Sequence, residues 1–170
     1  LLCAGIIGYR ALRRSAIRPG EKLGLIGFGA SAHVAIQVAV HWGCRVYVFS
    51  RSAEHRALAE KLGAVWTGDT ADDAPELLHA IIDTTPAWKP DVEALRQLKP
   101  GGRLVINAIR KEAGDKDYLQ HIDYATHLWR EKEIKSVANV TRKDVEEFIQ
   151  LAAEVPIKPD FQEFSLREAN

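Results

Sequence analysis

The sequence has no methionine, only two cysteines and no excess of either charge. Its 23 basic and 23 acidic residues cancel, which argues against a nucleic-acid partner, since such domains carry basic patches. No apolar run reaches the roughly 18 residues that a membrane helix needs, and no signal-peptide cleavage site follows the apolar start, so we expect no membrane partner. Cys3 and Cys44 have neither metal nor disulfide spacing, which favours a reducing, cytoplasmic location.

The missing methionine also bears on domain organisation. The chain has no initiator residue, and Leu1 falls inside a predicted helix. Near the other end, Ser165 and Glu168 have the spacing of a capping box, which opens a helix. The length of 170 residues suits one domain. We therefore expect residues 1–170 to be a single domain belonging to a longer protein, with a catalytic domain elsewhere in that protein.

Segments typical of strands and helices alternate along the chain. Strands are predicted at 23–26, 45–49, 64–67, 80–83, 103–108 and 135–138. Helices are predicted at 1–17, 31–42, 53–62 and 90–98, at a short stretch within 118–129, and from the Thr141–Asp144 cap to about Ala153. Alternation of this kind indicates parallel βαβ units. The predicted fold is α/β: a doubly wound parallel sheet in a Rossmann-type three-layer sandwich, which would make residues 1–170 a dinucleotide-binding domain.

The first predicted strand runs into a glycine-rich turn that opens a helix. The turn consists of Gly27, Phe28, Gly29, Ala30, Ser31 and Ala32. In a dinucleotide fingerprint the first glycine permits the tight turn, the second lets a pyrophosphate approach the backbone, and a small third residue lets the helix pack on the strand. Free N–H groups at the helix start favour the phosphates. The alternative is a glycine turn that merely joins a strand to a helix.

The tip of the second strand indicates which dinucleotide is preferred. An acidic residue there would bind the adenosine ribose of NAD, but the sequence has Ser50, Arg51 and Ser52 instead, with Arg56 one turn later. Hydroxyls and guanidinium groups suit a 2′-phosphate, so NADP is predicted and NAD is less favoured. The alternative is that Arg51 is a solvated charge and Ser52 only a helix cap.

Ligands of open α/β sheets gather at the carboxyl ends of the strands. Residues at these ends are further candidates for cofactor binding, with ordinary turn chemistry as the alternative: Thr84, Thr85, Asn107, Ala108 and Asn139. His33 directly follows the glycine turn but is interpreted as a polar surface residue, on a stripe with Gln37 and His41.

Several segments resemble the medium-chain zinc-dependent alcohol dehydrogenases. The resemblance is carried by Leu2-Cys3-Ala4-Gly5, Tyr9-Arg10-Ala11-Leu12, Pro19-Gly20-Glu21, the turn from Gly27 to His33, Lys99-Pro100-Gly101-Gly102-Arg103-Leu104-Val105, and the region 131–144. It implies reversible hydride transfer between NADP and an alcohol, aldehyde or ketone, with zinc as the Lewis acid. The sequence departs from the pattern at Ala32, where a third glycine is commoner, and at Ile7, where many members carry threonine.

The resemblance further implies that Cys3 is a zinc ligand. The other family ligands, a cysteine and a histidine, come from an upstream domain, so this fragment should hold zinc poorly and be inactive by itself. The resemblance also makes a homo-oligomer paired through the sixth strand plausible. Two rival functions are a zinc-free quinone or enoyl reductase of the same superfamily and a non-catalytic dinucleotide sensor, and the rival interpretation of Cys3 is a buried structural cysteine.

Overall fold

A computed structural model describes residues 2–161 and 163–168 of the chain. Its strands are β1 (Lys22–Ile26), β2 (Arg45–Phe49), β3 (Trp66–Gly68), β4 (Leu78–Asp83), β5 (Leu98–Ile106) and β6 (Glu133–Ser136). Its α-helices are α1 (Leu2–Ser15), α2 (Ala30–His41), α3 (Ala53–Lys61), α4 (Lys89–Gln97) and α5 (Arg142–Glu154). Short 3₁₀ or π turns cover Lys116–His121, Tyr124–Leu128 and Leu166–Glu168.

The strands form one parallel sheet of six in the order β3-β2-β1-β4-β5-β6. This order is that of the doubly wound dinucleotide-binding fold, in which the direction of winding reverses beside β1. The predicted Rossmann-type fold is therefore confirmed. Within the described residues, no helix is both long enough and apolar enough to cross a membrane.

The sheet is buried on both faces because helices cover each of them. Residues of β1 alternate between the faces: Leu23 and Leu25 pack against α1, α2 and α5, whereas Ile26 joins the core under α4. In β4, Ile82 and Ile81 divide in the same way. Strands covered on both sides carry continuous apolar runs, which is why these short segments could be predicted as strands.

Close packing of α1 on α2 fixes where the glycine turn begins its helix. A Cβ atom on Gly8 would lie 2.7 Å from the Ser31 carbonyl oxygen and 3.4 Å from Ala35 Cβ. The Gly8 backbone therefore contacts the first turn of α2 directly. Only glycine allows the two helices to approach this closely without a shift of the backbone.

Strand β5 begins earlier than the sequence indicates. The prediction placed the strand at 103–108, but pairing with β4 already starts at Leu98, opposite Leu78. The register then shifts, and Ala80 pairs with Arg103. Gly101 adopts φ +70° within the looped-out stretch, so glycine absorbs the extra residues inside the strand rather than ending the helix before it.

Residues beyond α5 cross the start of α2 and bury His33, which corrects its interpretation as a surface residue. His33 is only 7% exposed. Its Nε2 atom lies 3.2 Å from the Lys158 carbonyl oxygen and 3.3 Å from the Asp160 amide nitrogen. Gln37 brackets the same segment, donating to Lys158 O (3.1 Å) and accepting from Lys158 N (2.8 Å). His33 and Gln37 of the polar stripe thus face the backbone of another segment, whereas His41 is exposed.

The capping box predicted from Thr141 and Asp144 is present at the start of α5. Thr141 Oγ1 accepts from Asp144 N (3.3 Å), and the Asp144 carboxylate accepts from Thr141 N (2.7 Å). The buried Asp144 carboxylate also pairs with Arg10 of α1. Burial alone would raise the pKa of Asp144, but hydrogen bonds from Thr141 and Arg10 hold it below its usual value. The cap therefore fixes α5 to α1.

We expect Thr141→Ala to lower the free energy of unfolding by about 1 kcal/mol, the usual cost of losing a helix cap. Urea denaturation followed by circular dichroism measures the change. Thr141→Ser keeps the hydroxyl and is the matched control, which should differ little from the unchanged chain. Equal stability of the alanine and serine variants would contradict a capping role.

Candidate functional site

The glycine turn lies at the carboxyl edge of the sheet, where β1 meets α2. Gly27 adopts φ +77°, in the left-handed region. A Cβ atom at Gly27 would lie 2.6 Å from Thr84 Oγ1 and 3.0 Å from Thr85 Cγ2, and the Gly27 amide donates to Phe49 O (2.9 Å). Both the backbone conformation and the neighbouring β4 loop therefore require glycine at this position.

Gly29 is glycine for a different reason. It is the N-cap of α2, with φ −84° and ψ −168°, and the space beside it is open: no described atom would lie within 4 Å of a Cβ at this position. Among the described residues, no side chain caps this helix end. Ala30 is exposed and Ser31 half-buried, whereas Ala32 and Phe28 point into the core and contribute backbone only. The start of α2 thus offers uncapped N–H groups to an anion.

The residues proposed to contact a 2′-phosphate are gathered at the end of β2. Ser50 is buried, and Ser52 caps α3 by accepting from His55 N (3.3 Å). The Arg56 guanidinium donates to the carbonyl oxygens of Ser50 (2.5 Å) and Arg51 (3.2 Å). Ser52 is thus a helix cap whatever else it binds, and Arg56 holds the bend of the strand tip.

Arg51 is the exposed cation of this tip. Within the described part of the chain its side chain forms no ion pair and no hydrogen bond to another residue. An arginine without a protein partner remains available for a phosphate. Arg56 is paired with Asp69 after β3 (3.8 Å), so Arg51 is the cation of this tip that no described acidic side chain neutralises, and the three residues that directly follow β2 include no acid.

The ends of β4 and β5, which lie on the other side of β1 from β2, are at the same edge of the sheet. Thr84 follows β4, and its hydroxyl donates to Ile26 O (3.0 Å), so the side chain rests on the glycine turn. The backbone N–H of Asn107 donates to Asp83 O (2.7 Å). This bond extends the pairing of β4 with β5 past the end of β5, and Ala108 follows. Asn139 follows the edge strand β6 in left-handed conformation (φ +57°). The order of the strands therefore places Thr84 beside the turn and Asn139 farthest from it.

A buried charge cluster beneath this edge was not found from the sequence. Lys111, in the loop after β5, contacts Asp83 at the end of β4 and Asp91 in α4; each Nζ to Oδ2 distance is 2.6 Å. Burial, together with the negative charge of Asp83, raises the pKa of Asp91 to about 7, although Lys111 opposes the shift. The sequence signal for this cluster is limited to the apolar run that precedes Asp83.

Cys3 lies at the start of α1 and is exposed, so its interpretation as a buried structural cysteine is wrong. A catalytic zinc site needs three protein ligands and one open position. Among residues 2–161 and 163–168, no group of three or more His, Cys, Asp or Glu side chains is placed to hold a metal ion. The described residues alone therefore do not fit a zinc ion; Cys3 can offer one ligand.

Comparison with known proteins agrees with this geometry. The model of the zinc-binding dehydrogenase family matches residues 32–154. The chain is 41% identical over 170 residues to the "Probable alcohol dehydrogenase AdhA" of Mycobacterium tuberculosis (strain CDC 1551 / Oshkosh), covering all of this chain and 48% of that protein. The chain therefore spans about half the length of this curated relative.

Solved structures share the fold and hold either nucleotide. The structure of CAD from Helicobacter pylori complexed with NADP(H) superposes with a TM-score of 0.75 at 25% identity, over 95% of this chain and 46% of that one. Acetophenone reductase from Geotrichum candidum, in complex with NAD, superposes with a TM-score of 0.74 at 23% identity, over 93% and 45%. Overall likeness to these proteins thus does not decide between the two cofactors.

Proposed function

The chain belongs to the zinc-binding dehydrogenase family, and from this premise we propose that it is the cofactor-binding part of an NADP-dependent alcohol dehydrogenase. The proposed reaction is reversible hydride transfer between the nicotinamide and an alcohol, aldehyde or ketone. The observation that carries the cofactor assignment is the exposed Arg51 at the tip of β2, which has no partner among the described residues. Strand β2 pairs with β1, which leads into the uncapped start of α2.

The residues of this chain would bind and orient the cofactor. The amides at the start of α2 would receive the pyrophosphate, because no described side chain occupies them. Arg51 and the hydroxyls of Ser50 and Ser52 would receive the 2′-phosphate. The rest of the cofactor would then extend across the edge of β1 toward β4 and β5, as the two halves of a dinucleotide do in this fold. NADP itself supplies the hydride chemistry when bound.

The zinc part of the proposal concerns the complete protein. Cys3 would supply one ligand, as the family resemblance implies. The remaining ligands are not found among the described residues, so no zinc-dependent step is assigned to this chain. Cys3 also favours an alcohol dehydrogenase over the zinc-free quinone and enoyl reductases, which the family pattern expects to lack this cysteine. The weak zinc binding expected of the fragment stays a prediction.

Location and assembly also remain proposals. Cys3 and Cys44 are both free thiols, which supports a reducing, cytoplasmic location. Strand β6 is an edge of the sheet, and Ile134 on it is 46% exposed, which supports pairing of two copies through this strand. Light scattering after size-exclusion chromatography tests the pairing, and a monomer at micromolar concentration would count against it.

The cofactor assignment predicts the effect of reversing the charge at Arg51. We expect Arg51→Glu to weaken NADPH binding by about 10- to 100-fold, since a charged hydrogen bond contributes about 1.5–3 kcal/mol. NADH binding should change little, because NADH lacks the 2′-phosphate. Isothermal titration calorimetry with each nucleotide measures both affinities.

The matched control is Arg18→Glu, which makes the same charge change at an exposed arginine before β1, at the opposite edge of the sheet. It should leave both affinities unchanged. Comparable affinity of the unchanged chain for NADH and NADPH would refute the preference for NADP. If Arg51→Glu and Arg18→Glu lose NADPH affinity equally, the effect comes from the overall charge of the protein and not from a contact of Arg51.

A further inference from the structure

Two loops at the carboxyl edge of the sheet, where the cofactor is proposed to bind, are joined by hydrogen bonds. One follows β4 (84–88) and the other follows β5 (107–115). The Glu112 amide donates to Pro86 O (2.8 Å), and the Asp115 carboxylate accepts from the amides of Trp88 (2.9 Å) and Lys89 (2.8 Å). The second loop therefore also caps the start of α4. We call these segments the paired loops.

Lys111 is the central contact between the paired loops. Its ammonium donates to Asp83 Oδ2 (2.6 Å) and to the carbonyl oxygens of Ala87 (2.7 Å) and Thr85 (3.1 Å), and it lies 2.6 Å from Asp91 Oδ2. Its side chain is only 9% exposed. One ammonium thus joins the post-β5 loop to the end of β4, to the post-β4 loop and to α4.

The charges of this cluster do not cancel when both acids are ionised. The side chains of Asp83 and Asp91 are 0% and 6% exposed, and a single ammonium faces them. Asp115, farther along the same loop, interacts with Lys111 as well. A buried excess of negative charge is costly. The neutral arrangement therefore keeps one proton on the aspartate pair.

The cluster is connected to the glycine turn through Thr84 and Thr85. Asp83 pairs with Ile26, the last residue of β1. Its carboxylate accepts from Thr85 N (3.0 Å), and the Thr84 hydroxyl donates to Ile26 O (3.0 Å). The paired loops are thus held directly against the turn on its β4 side. Ser50 and Arg51, the proposed partners of the 2′-phosphate, lie at the end of β2, on the other side of the turn. The nicotinamide half of the cofactor should therefore lie over the paired loops.

From this arrangement we propose that Lys111 is a positioning residue that holds the paired loops in the form that receives the nicotinamide ring. The inference rests on the proposed function, since it requires a nicotinamide dinucleotide at this edge. Without the ammonium, Asp83 and the carbonyl oxygens of Thr85 and Ala87 lose their common donor, and the loops separate. The adenosine end, built from β2 and α3, does not touch the cluster and should be unaffected.

Two ligands separate the effects on the two halves of the cofactor. NADPH carries the nicotinamide, whereas 2′-phospho-ADP-ribose lacks only that ring. We expect Lys111→Met to weaken NADPH binding by about tenfold, which corresponds to about 1.4 kcal/mol. Binding of 2′-phospho-ADP-ribose should stay nearly constant. Lys116→Met removes an exposed lysine from the neighbouring 3₁₀ turn and should change neither affinity.

The outcomes are distinguishable. If the unchanged chain binds neither ligand, the proposed function fails. If it binds both but the folded Lys111→Met variant loses neither, or loses both equally, the positioning role of Lys111 is refuted.

A second variant covers the case in which Lys111→Met does not fold. Asp91→Asn keeps the Lys111–Asp83 pair and removes the titrating carboxyl. In the unchanged chain, the ratio of NADPH affinity to 2′-phospho-ADP-ribose affinity should fall from about pH 6 to about pH 8, as the cluster gains its excess negative charge. In Asp91→Asn the ratio should be independent of pH. Both ligands carry the pyrophosphate and the 2′-phosphate, so titration of these groups cancels from the ratio of affinities. A ratio with the same pH dependence in both proteins would overturn the proposal.

Discussion

Replacing Gly29 by aspartate is expected to abolish most NADPH binding while making the unliganded domain slightly more stable. Gly29 is the N-cap of α2, and the space that a Cβ would fill is open among the described residues, so the side chain fits without strain. Aspartate is a better N-cap than glycine by a few tenths of a kcal/mol. The same carboxylate occupies the helix amides and repels the pyrophosphate, and we expect a loss of about 100-fold or more in affinity, about 2.7 kcal/mol.

Thermal denaturation and calorimetric titration measure the two effects on the same samples. Gly29→Asn is the matched control, because asparagine caps as well as aspartate but carries no charge. Its loss of NADPH affinity should be smaller than that of Gly29→Asp, and the difference reports the repulsion. If Gly29→Asp binds NADPH as tightly as the unchanged chain does, the pyrophosphate does not bind at the start of α2.

The second large effect concerns pH and stability at Asp91. Its pKa rises from the usual 3.8 to about 7 in the fold, because burial and the charge of Asp83 disfavour ionisation. A carboxyl with a raised pKa stabilises the fold fully at pH values below its unfolded pKa, and that stability is lost as the pH rises through the folded pKa. The contribution of Asp91 therefore declines between about pH 4 and pH 7.

Asp91→Asn cannot ionise and should escape this loss. We expect its free energy of unfolding to exceed that of the unchanged chain by an amount that grows with pH and reaches about 2–4 kcal/mol at about pH 8, since one pKa unit corresponds to about 1.4 kcal/mol. Urea denaturation across the pH range provides the comparison. Asp117→Asn, at an exposed aspartate, is the control and should show no such trend.

Other carboxyls titrate in the opposite sense but cancel from the difference. Hydrogen bonds from Lys22 and Tyr47 lower the pKa of Glu76 to about 2, so its stabilising contribution is lost as the pH falls. This effect is present in both proteins. A stability difference between Asp91→Asn and the unchanged chain that does not vary with pH would contradict the raised pKa.

The βαβ unit around the turn could be predicted from the sequence because all its signals are local. Strand β1 is an apolar run, Gly27 ends it, and α2 follows at helical spacing. The left-handed φ of Gly27 is the kind of constraint that a glycine in a fingerprint indicates. The uncapped start of α2 follows from the same motif, since Gly29 has no side chain with which to cap.

The charge cluster could not be predicted, because its members are distant in sequence and buried charges are rare. Asp83 ends a strand, Asp91 lies on a helix, and Lys111 belongs to a loop that has no periodic pattern. Each would ordinarily be placed on the surface. Only the return of the post-β5 loop over β4 brings them together, and that path depends on tertiary contacts such as Glu112 N to Pro86 O.

His33 was misinterpreted for a related reason. A polar residue every fourth position on α2 is the usual mark of a solvated face. The segment around Lys158 has no helical or strand pattern of its own, so nothing in the sequence shows that its backbone supplies partners for His33 and Gln37.

The segment around Lys158, which crosses α2, also sets how far the domain can be shortened at its C-terminal end. Lys158 is joined to Gln37 through both its amide and its carbonyl, and Asp160 contacts His33. A version shortened to the end of α5 would keep every strand and α-helix, yet it would uncover the His33 imidazole and remove the backbone partners of His33 and Gln37. The practical domain boundary therefore lies beyond Asp160, some residues after the last α-helix.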